Sequence, residues 1–275
     1  MTSPALQDII ALLGRPAAGN PSQYLFERAI DRAGLDVRFI SADVPPERLA
    51  DALAGAMAMG FRGCLLAGPL REAAVPLVAA ASPSATFAGA ASLLELGAAG
   101  LTAHMTDGRG AVEAVRGHRD PSGRRALVVG ADATGRAVAL ELSLAGVTGL
   151  AVCDRDADRS AALATSLGAL AVPDVTVVEA ADAIPVPEDA DIVVVAASSG
   201  DHPPFTALRA DLVVVECRLA AQPTPLAGIV TASGACFVDG LEVHAARAAI
   251  DFLALTGVEA DAELLRDALD EFLSA

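Results

Sequence analysis

The strongest constraint on the fold is one stretch, residues 124–156, which reads RRALVVGADATGRAVALELSLAGVTGLAVCDRD. Residues 126–129 are a short apolar run, which periodicity alone reads as a buried strand or a piece of core helix. Gly130-Ala131-Asp132-Ala133-Thr134-Gly135 follows at once, then a helical pattern from Arg136 to Leu144, ended by Gly146. Residues 150–153 make a second strand that stops at Asp154. Strand, glycine turn, helix, strand, acid is the layout of a dinucleotide-binding βαβ unit. Asp132 stands where a second glycine would let the backbone approach a diphosphate. A carboxylate about 4–6 Å from that group opposes binding by roughly 1–3 kcal/mol. Thr134 and Gly135 still leave a helix N-terminus on which a phosphate could sit.

The remainder alternates helix and strand. Residues 6–13 form an apolar segment. A helix is expected at 23–33, stopped by Gly34, a strand at 37–40, a helix at 45–57 and a strand at 63–67. A helix over 71–81 is ended by Ser82-Pro83, and residues 88–94 and 100–104 pair as neighbouring strands. Thr106-Asp107-Gly108 is a turn or cap that opens a helix over 110–116, and the polar stretch 117–123 leads into the central unit. After Asp154 come a helix at 157–167 and strands at 175–178, 191–196 and 212–215, the last two being the fourth and fifth of a parallel sheet. Phe237 and Val238 precede Gly240, and two amphipathic helices at 242–255 and 261–274 close the chain. Such alternation indicates an α/β protein.

With 275 residues the chain is long enough for two modest domains. Its net charge of −16 argues against nucleic-acid binding, because phosphates need a basic surface. Mean hydropathy is +0.49, much of it from alanine, but charged residues interrupt every long apolar run, so no membrane span is expected. The first residues lack the basic start and apolar core of a signal peptide, and a cytoplasmic location is expected. Cys64, Cys153, Cys217 and Cys236 show no CxxC spacing, so reduced thiols are expected, without disulfides and without a metal. All 19 basic residues are arginine, which excludes a lysine base or Schiff base.

Several fragments in order resemble the shikimate dehydrogenase family over nearly the whole chain. The family's NVTxPxK motif falls on residues 65–71, with Pro69 kept, and its GAVNT motif on residues 89–93, with Gly89 and Ala90 kept. Its NTDG motif falls on Met105-Thr106-Asp107-Gly108, and GAGGAxRA on residues 130–137, with Gly130, Ala131, Arg136 and Ala137 kept. Its NRT turn falls on Asp154-Arg155-Asp156, and its C-terminal pattern keeps Phe252, Thr256 and Gly257. The resemblance implies an N-terminal α/β substrate domain (residues 1–106 and 238–275) and a Rossmann-type, doubly wound nucleotide domain (107–237), with the C-terminal helices returning to the first domain. It also implies an NAD(P)-dependent oxidoreductase, with a homodimer as a family-level expectation.

The departures fall on the chemistry. Arg71 stands for the family's catalytic lysine, Ser92 and Met105 for its two substrate asparagines, and Arg247 for its substrate glutamine. Asp107 alone remains of the lysine–aspartate pair. The resemblance implies that Ser22, Arg71, Ser92, Asp107, Arg247 and His244 serve one substrate site. In that site Asp107 is the acid–base group and the arginines hold an anion. Shikimate itself is not expected; the expected substrate is a small anionic cyclic alcohol or its ketone. Gly130, Ala131, Asp132, Thr134, Gly135, Asp154 and Arg155 are the expected contacts to NAD or NADP. Asp154 favours NAD by accepting from a ribose hydroxyl, and Arg155 pulls the other way. Other roles stay open: Asp107 as a helix N-cap, His104 and His244 as structural hydrogen bonders, Met105 as a packing residue. So does the alternative of a homologue that has lost hydride transfer and binds a small anion or catalyses a non-redox acid–base step.

Overall fold

The computed structural model describes residues 7–196 and 202–275, which fall into two compact units. One comprises residues up to Thr106 together with Ala248–Ala275; the other is Asp107–Arg247.

In the first unit the apolar segment is strand β1 (Asp8–Gly14), in which Ile10, Ala11 and Leu12 are buried; Leu6 lies outside the described residues. Helix α1 (Ser22–Ala33) ends on a left-handed Gly34, φ 63°, the conformation that favours glycine at a helix C-terminus. Strand β2 (Val37–Asp43) pairs in parallel with β1. A 3-10 turn at Pro46–Arg48 leads into α2 (Leu49–Ala58), and β3 (Gly63–Leu66) lies on the other edge of β1.

Two expectations fail in the next segment. The helix over residues 71–81 is only α3 (Leu70–Ala73), followed by a 3-10 turn at Val75–Leu77 and strand β4 (Ala80–Ala81). Pro76 lacks the N–H that a continuing helix needs. The strand from residue 88 is preceded by helix α4 (Pro83–Ala88): Ser82 Oγ accepts from Ala85 N–H at 3.2 Å, and Pro83 occupies the first turn. The strand itself, β5 (Leu93–Gly97), starts only after Gly89 and pairs antiparallel with β6 (Gly100–His104). The sheet order is β2-β1-β3-β5-β6-β4.

The second unit begins with α5 (Asp107–Arg116) and continues into the βαβ unit: β7 (Arg125–Val129), α6 (Ala133–Leu144) and β8 (Gly149–Cys153). Helix α7 (Ala157–Ala169) and β9 (Val175–Val177) follow. A small pair, β10 (Ile184–Pro185) and β12 (Phe205–Thr206), brackets β11 (Ile192–Val195) in sequence. Strand β13 (Val213–Glu216), an unexpected helix α8 (Pro225–Ala232) capped by Thr224, and β14 (Cys236–Val238) complete the sheet. Its order is β14-β13-β11-β7-β8-β9, all parallel. The apolar runs on β7, β11 and β13, β-branched throughout β11 and most of β13, are buried on both faces, as a parallel sheet with two helical layers demands. The strand order reverses between β7 and β11, the switch point beside which such sheets bind ligands at their carboxyl ends.

Helix α9 (Gly240–Thr256) carries the chain from the second unit to the first, and α10 (Ala262–Ser274) closes the first against α1. There Phe26 packs on Phe39 and Phe252, with ring centroids 4.9 and 5.5 Å apart, and Tyr24 on Phe272 at 5.9 Å. No helix among the described residues is long and apolar enough to cross a membrane.

Candidate active site

The glycine turn occupies the carboxyl end of β7. Gly130 has φ +106°, a conformation that L side chains rarely adopt. A Cβ on Gly135 would stand 1.9 Å from the Gly130 carbonyl oxygen, so only glycine lets α6 approach β7 this closely. Asp132 is extended (φ −71°, ψ −173°) and caps α6, its Oδ1 accepting from Gly135 N–H at 3.0 Å. The residue that looks misplaced in the motif is therefore a conventional N-cap, and it spends on itself one N–H of the helix end.

Asp154, at the end of β8, is fixed through both oxygens. Oδ2 accepts from Ala131 N–H at 2.7 Å and Oδ1 from Asp156 N–H at 2.9 Å. Arg155 is exposed beside it, and Thr134 lies half-buried in the first turn of α6. Arg159, on the first turn of α7, donates from Nε to Asp156 at 3.1 Å. That hydrogen bond raises its pKa, and the nearby charges of Asp154 and Asp132 add to the effect. Sequence reasoning missed Arg159; the available signal was its (i, i+3) spacing from Asp156, directly after the second strand.

Asp107 opens α5, and Arg247 Nη1 donates to its Oδ1 at 3.0 Å, with the two side chains 12% and 21% exposed. A Cβ on Gly110 would lie 2.7 Å from that of Arg247, so α9 runs tightly against α5 here. Cys217 lies just beyond β13, its N–H donating to the Val195 carbonyl at 2.9 Å. Burial pushes its thiol far up, and the carboxylates of Asp107, Asp132 and Glu216 push it further. A Cβ on Gly108 would stand 2.3 Å from the Ala137 carbonyl oxygen, so the start of α5, which carries Asp107, packs against the first turns of α6 that follow the glycine turn. His244 Nε2 donates to the Cys217 carbonyl at 3.2 Å, holding the same corner. Nothing in the sequence singled out Cys217, since its importance comes only from the register of β13.

Within the first unit, Arg71 lies on α3 and donates from Nη2 to Met105 Sδ at 3.3 Å. Ser92, Thr106 and Asp251 form a buried chain. Thr106 Oγ1 donates to Asp251 Oδ1 at 2.6 Å, so the Ser92 hydroxyl must donate to Thr106 Oγ1 at 2.8 Å. Ser92 Oγ also accepts from Thr106 N–H at 2.8 Å. Ser22 is buried at the start of α1, its N–H donating to Asn20 Oδ1. His104 Nε2 lies 3.3 Å from Glu95 on the adjacent strand.

Among the described residues no group of three or more His, Cys, Asp and Glu side chains is arranged to hold a metal ion. The turn does fit a nicotinamide dinucleotide. Gly135 lets α6 start against the Gly130 carbonyl, the strand–turn–helix geometry that suits a diphosphate, while the Asp132 carboxylate, which takes the Gly135 N–H, opposes it.

Comparison with known proteins identifies the family and the fold. Residues 12–94 match the family described as the shikimate dehydrogenase substrate binding domain, and residues 113–209 match shikimate / quinate 5-dehydrogenase. The chain is 32% identical over 270 residues to a shikimate dehydrogenase (NADP(+)) of Natronomonas pharaonis, covering 95% of this chain and 98% of the relative. Among solved structures, the 5-ketofructose reductase of Gluconobacter sp. strain CHM43 superposes with a TM-score of 0.92 at 26% identity, covering 97% of this chain and 99% of that one. Quinate dehydrogenase from Corynebacterium glutamicum, solved in complex with NAD, superposes at 0.78 with 28% identity, covering 98% and 99%.

Proposed function

The chain belongs to the shikimate dehydrogenase family of oxidoreductases, and on that premise we propose that it interconverts the alcohol and ketone of a small anionic cyclic substrate other than shikimate. The observation that carries the reading is the Asp107–Arg247 pair, at the start of a helix that packs at Gly108 against Ala137 of α6, the helix the Gly130–Gly135 turn opens.

Asp107 takes the proton of the substrate hydroxyl on oxidation and returns it on reduction. Arg247 fixes the orientation of that carboxylate and balances its charge. Arg71 brings a guanidinium where the family has a lysine, so it binds an anion and moves no proton. Ser22 and His244 supply polar contacts to the substrate, whereas the hydroxyl of Ser92 serves the fold through Thr106 and Asp251. When bound, the nicotinamide supplies the hydride acceptor or donor. Gly130, Ala131, Thr134 and Gly135 would hold its diphosphate, Asp154 would hold its ribose, and Arg155 would lie at the rim. The two fixed oxygens of Asp154 put negative charge where a 2′-phosphate would lie, which supports NAD over NADP, although the Natronomonas relative is named for NADP(+).

A second reading takes a neutral polyhydroxy ketone as substrate. It is favoured because the charge of Arg247 is already met by Asp107, which leaves Arg71 as the remaining candidate anion clamp. Initial rates with shikimate, quinate and 5-ketofructose, each with NADH or NADPH in the appropriate direction, separate the two. Turnover of the ketose alone favours the second. Asp107→Asn should abolish turnover with the melting temperature preserved; retained activity refutes the acid–base role. If neither NADH nor NADPH binds calorimetrically up to millimolar concentration, the redox reading fails and the non-redox alternative stands.

A further inference from the structure

At the opposite end of the second unit's sheet, three residues from three segments meet. His118 follows α5, Cys236 opens the edge strand β14, and Glu242 lies in the first turn of α9. His118 Nε2 is 2.9 Å from Glu242 Oε1, and His118 Nδ1 is 3.5 Å from Cys236 Sγ. The register places this cluster clearly: Cys236 is level with Val213, Val213 with Ile192, and Ile192 with Ala126, at the amino end of the strands. Gly130 lies four residues further along β7, roughly 13 Å away in the strand direction. The cluster is thus separate from the glycine turn, and none of its members has a part in the reaction proposed above.

The hydrogen-bond network assigns the protons. A carboxylate can only accept, so Nε2 carries the hydrogen that reaches Glu242, and Nδ1 is left to accept from the Cys236 thiol. Nucleophile, base and orienting carboxylate in line are the arrangement that activates a thiol. The side chains of His118 and Glu242 are 33% and 32% exposed, and Cys236 is only partly buried, so a small reagent can reach the sulfur. Cys64 and Cys153 differ in being buried, which pushes their thiols up to about 12 and about 11. Cys217 is partly buried like Cys236, but burial and the carboxylates of Asp107, Asp132 and Glu216 raise its thiol, and the His244 imidazole donates to its carbonyl oxygen.

We propose that Cys236, with His118 and Glu242, is a thiol-modification site that reacts with low-molecular-weight disulfides. The Cys236 proton passes to His118 Nδ1, and the sulfur attacks one sulfur of the disulfide. The reagent's S–S bond breaks as the mixed disulfide forms, and the departing thiolate takes the proton back from the imidazolium. Cys236 is oxidised and the leaving sulfur is reduced, so no further oxidant is needed. Glu242 acts as a positioning residue, through the tautomer and orientation of His118.

The test is reaction of the native full-length protein with dithiodipyridine, followed by release of the thiopyridone and by peptide mapping. The expected result is one fast thiol, mapped to Cys236 and missing in Cys236→Ser. His118→Asn should slow it at neutral pH by about tenfold or more, and Glu242→Gln by a smaller factor with a displaced pH profile. The double variant should be no slower than His118→Asn alone, because Glu242 acts through the imidazole. In urea the four thiols of each variant should react alike, which separates loss of the cluster from loss of the thiol. A fast thiol mapped to Cys64, Cys153 or Cys217, or a folded His118→Asn that reacts as fast as the wild type, overturns the proposal.

Discussion

Replacing Asp132 separates two effects that this residue combines. Its carboxylate caps α6 through Gly135 N–H, and the same charge faces the place where a diphosphate would bind. Asp132→Asn keeps an acceptor for the cap but removes the charge. The loss of the favourable carboxylate–dipole interaction should cost about 0.3–1 kcal/mol of stability. The relief of repulsion should be worth about 1–3 kcal/mol in dinucleotide binding, or roughly 5- to 150-fold in Kd. Asp132→Ala removes both functions and should cost about 1 kcal/mol of stability, with a smaller gain in affinity because the helix end frays. Urea unfolding and calorimetric titration with NADH, each at low and high salt, read the two terms separately. Because the repulsion is screened, the advantage of the Asn variant should shrink as salt is raised. Equal affinity of wild type and Asp132→Asn at low salt would refute this placement of the charge. A gain insensitive to salt would show that bulk, not charge, was the obstacle.

Other substitutions probe the same fold. Gly135→Ala must displace the Gly130 carbonyl, 1.9 Å from the new Cβ, so it should lower stability by about 3 kcal/mol in denaturant and abolish dinucleotide binding. Ser92→Ala takes the partner from the buried Thr106 N–H and should cost about 2 kcal/mol, seen as a lowered melting temperature; Ser92→Thr should recover part of it. The Cys153 thiol titrates from 9.0 when unfolded to about 11 when folded. The folded chain therefore holds the proton longer, and stability is full below pH 9 and falls as pH rises toward 11. Cys153→Ala should flatten that decline in a pH series of urea unfolding; an unchanged slope would assign the alkaline loss elsewhere.

Much of the second unit was legible in the chain. Continuous β-branched runs at β11 and β13 and the apolar run at β7 suit a parallel sheet buried on both faces, and residues 124–156 form the strand, turn, helix and strand of their pattern. The first unit was harder to read where composition is dominated by alanine. Alanine favours helix and fits a strand, so residues 71–94 carried no period strong enough to compete with Pro76, Ser82 and Pro83. Those residues chose a broken helix, a two-residue strand and a separately capped helix. Helix α8 went unseen although Thr224-Pro225 is a conventional start for one.

The sequence alone determined the family, the alternation of helix and strand, the absence of any lysine and the identity of the changed residues: Arg71, Ser92, Met105, Asp132 and Arg247. All of these are properties of one position or of positions close together along the chain. What those residues do was decided by pairs far apart in sequence. Asp107 meets Arg247 across 140 positions, Thr106 meets Asp251 across 145, and His118 meets Cys236 across 118. A hydrogen bond depends on angstroms and not on spacing, and only the register of the strands and the packing of α5, α6 and α9 fix those distances. Asp132 shows the difference at short range as well: its letter reads as a defect in a motif, and its ψ of −173° makes it the cap of the helix.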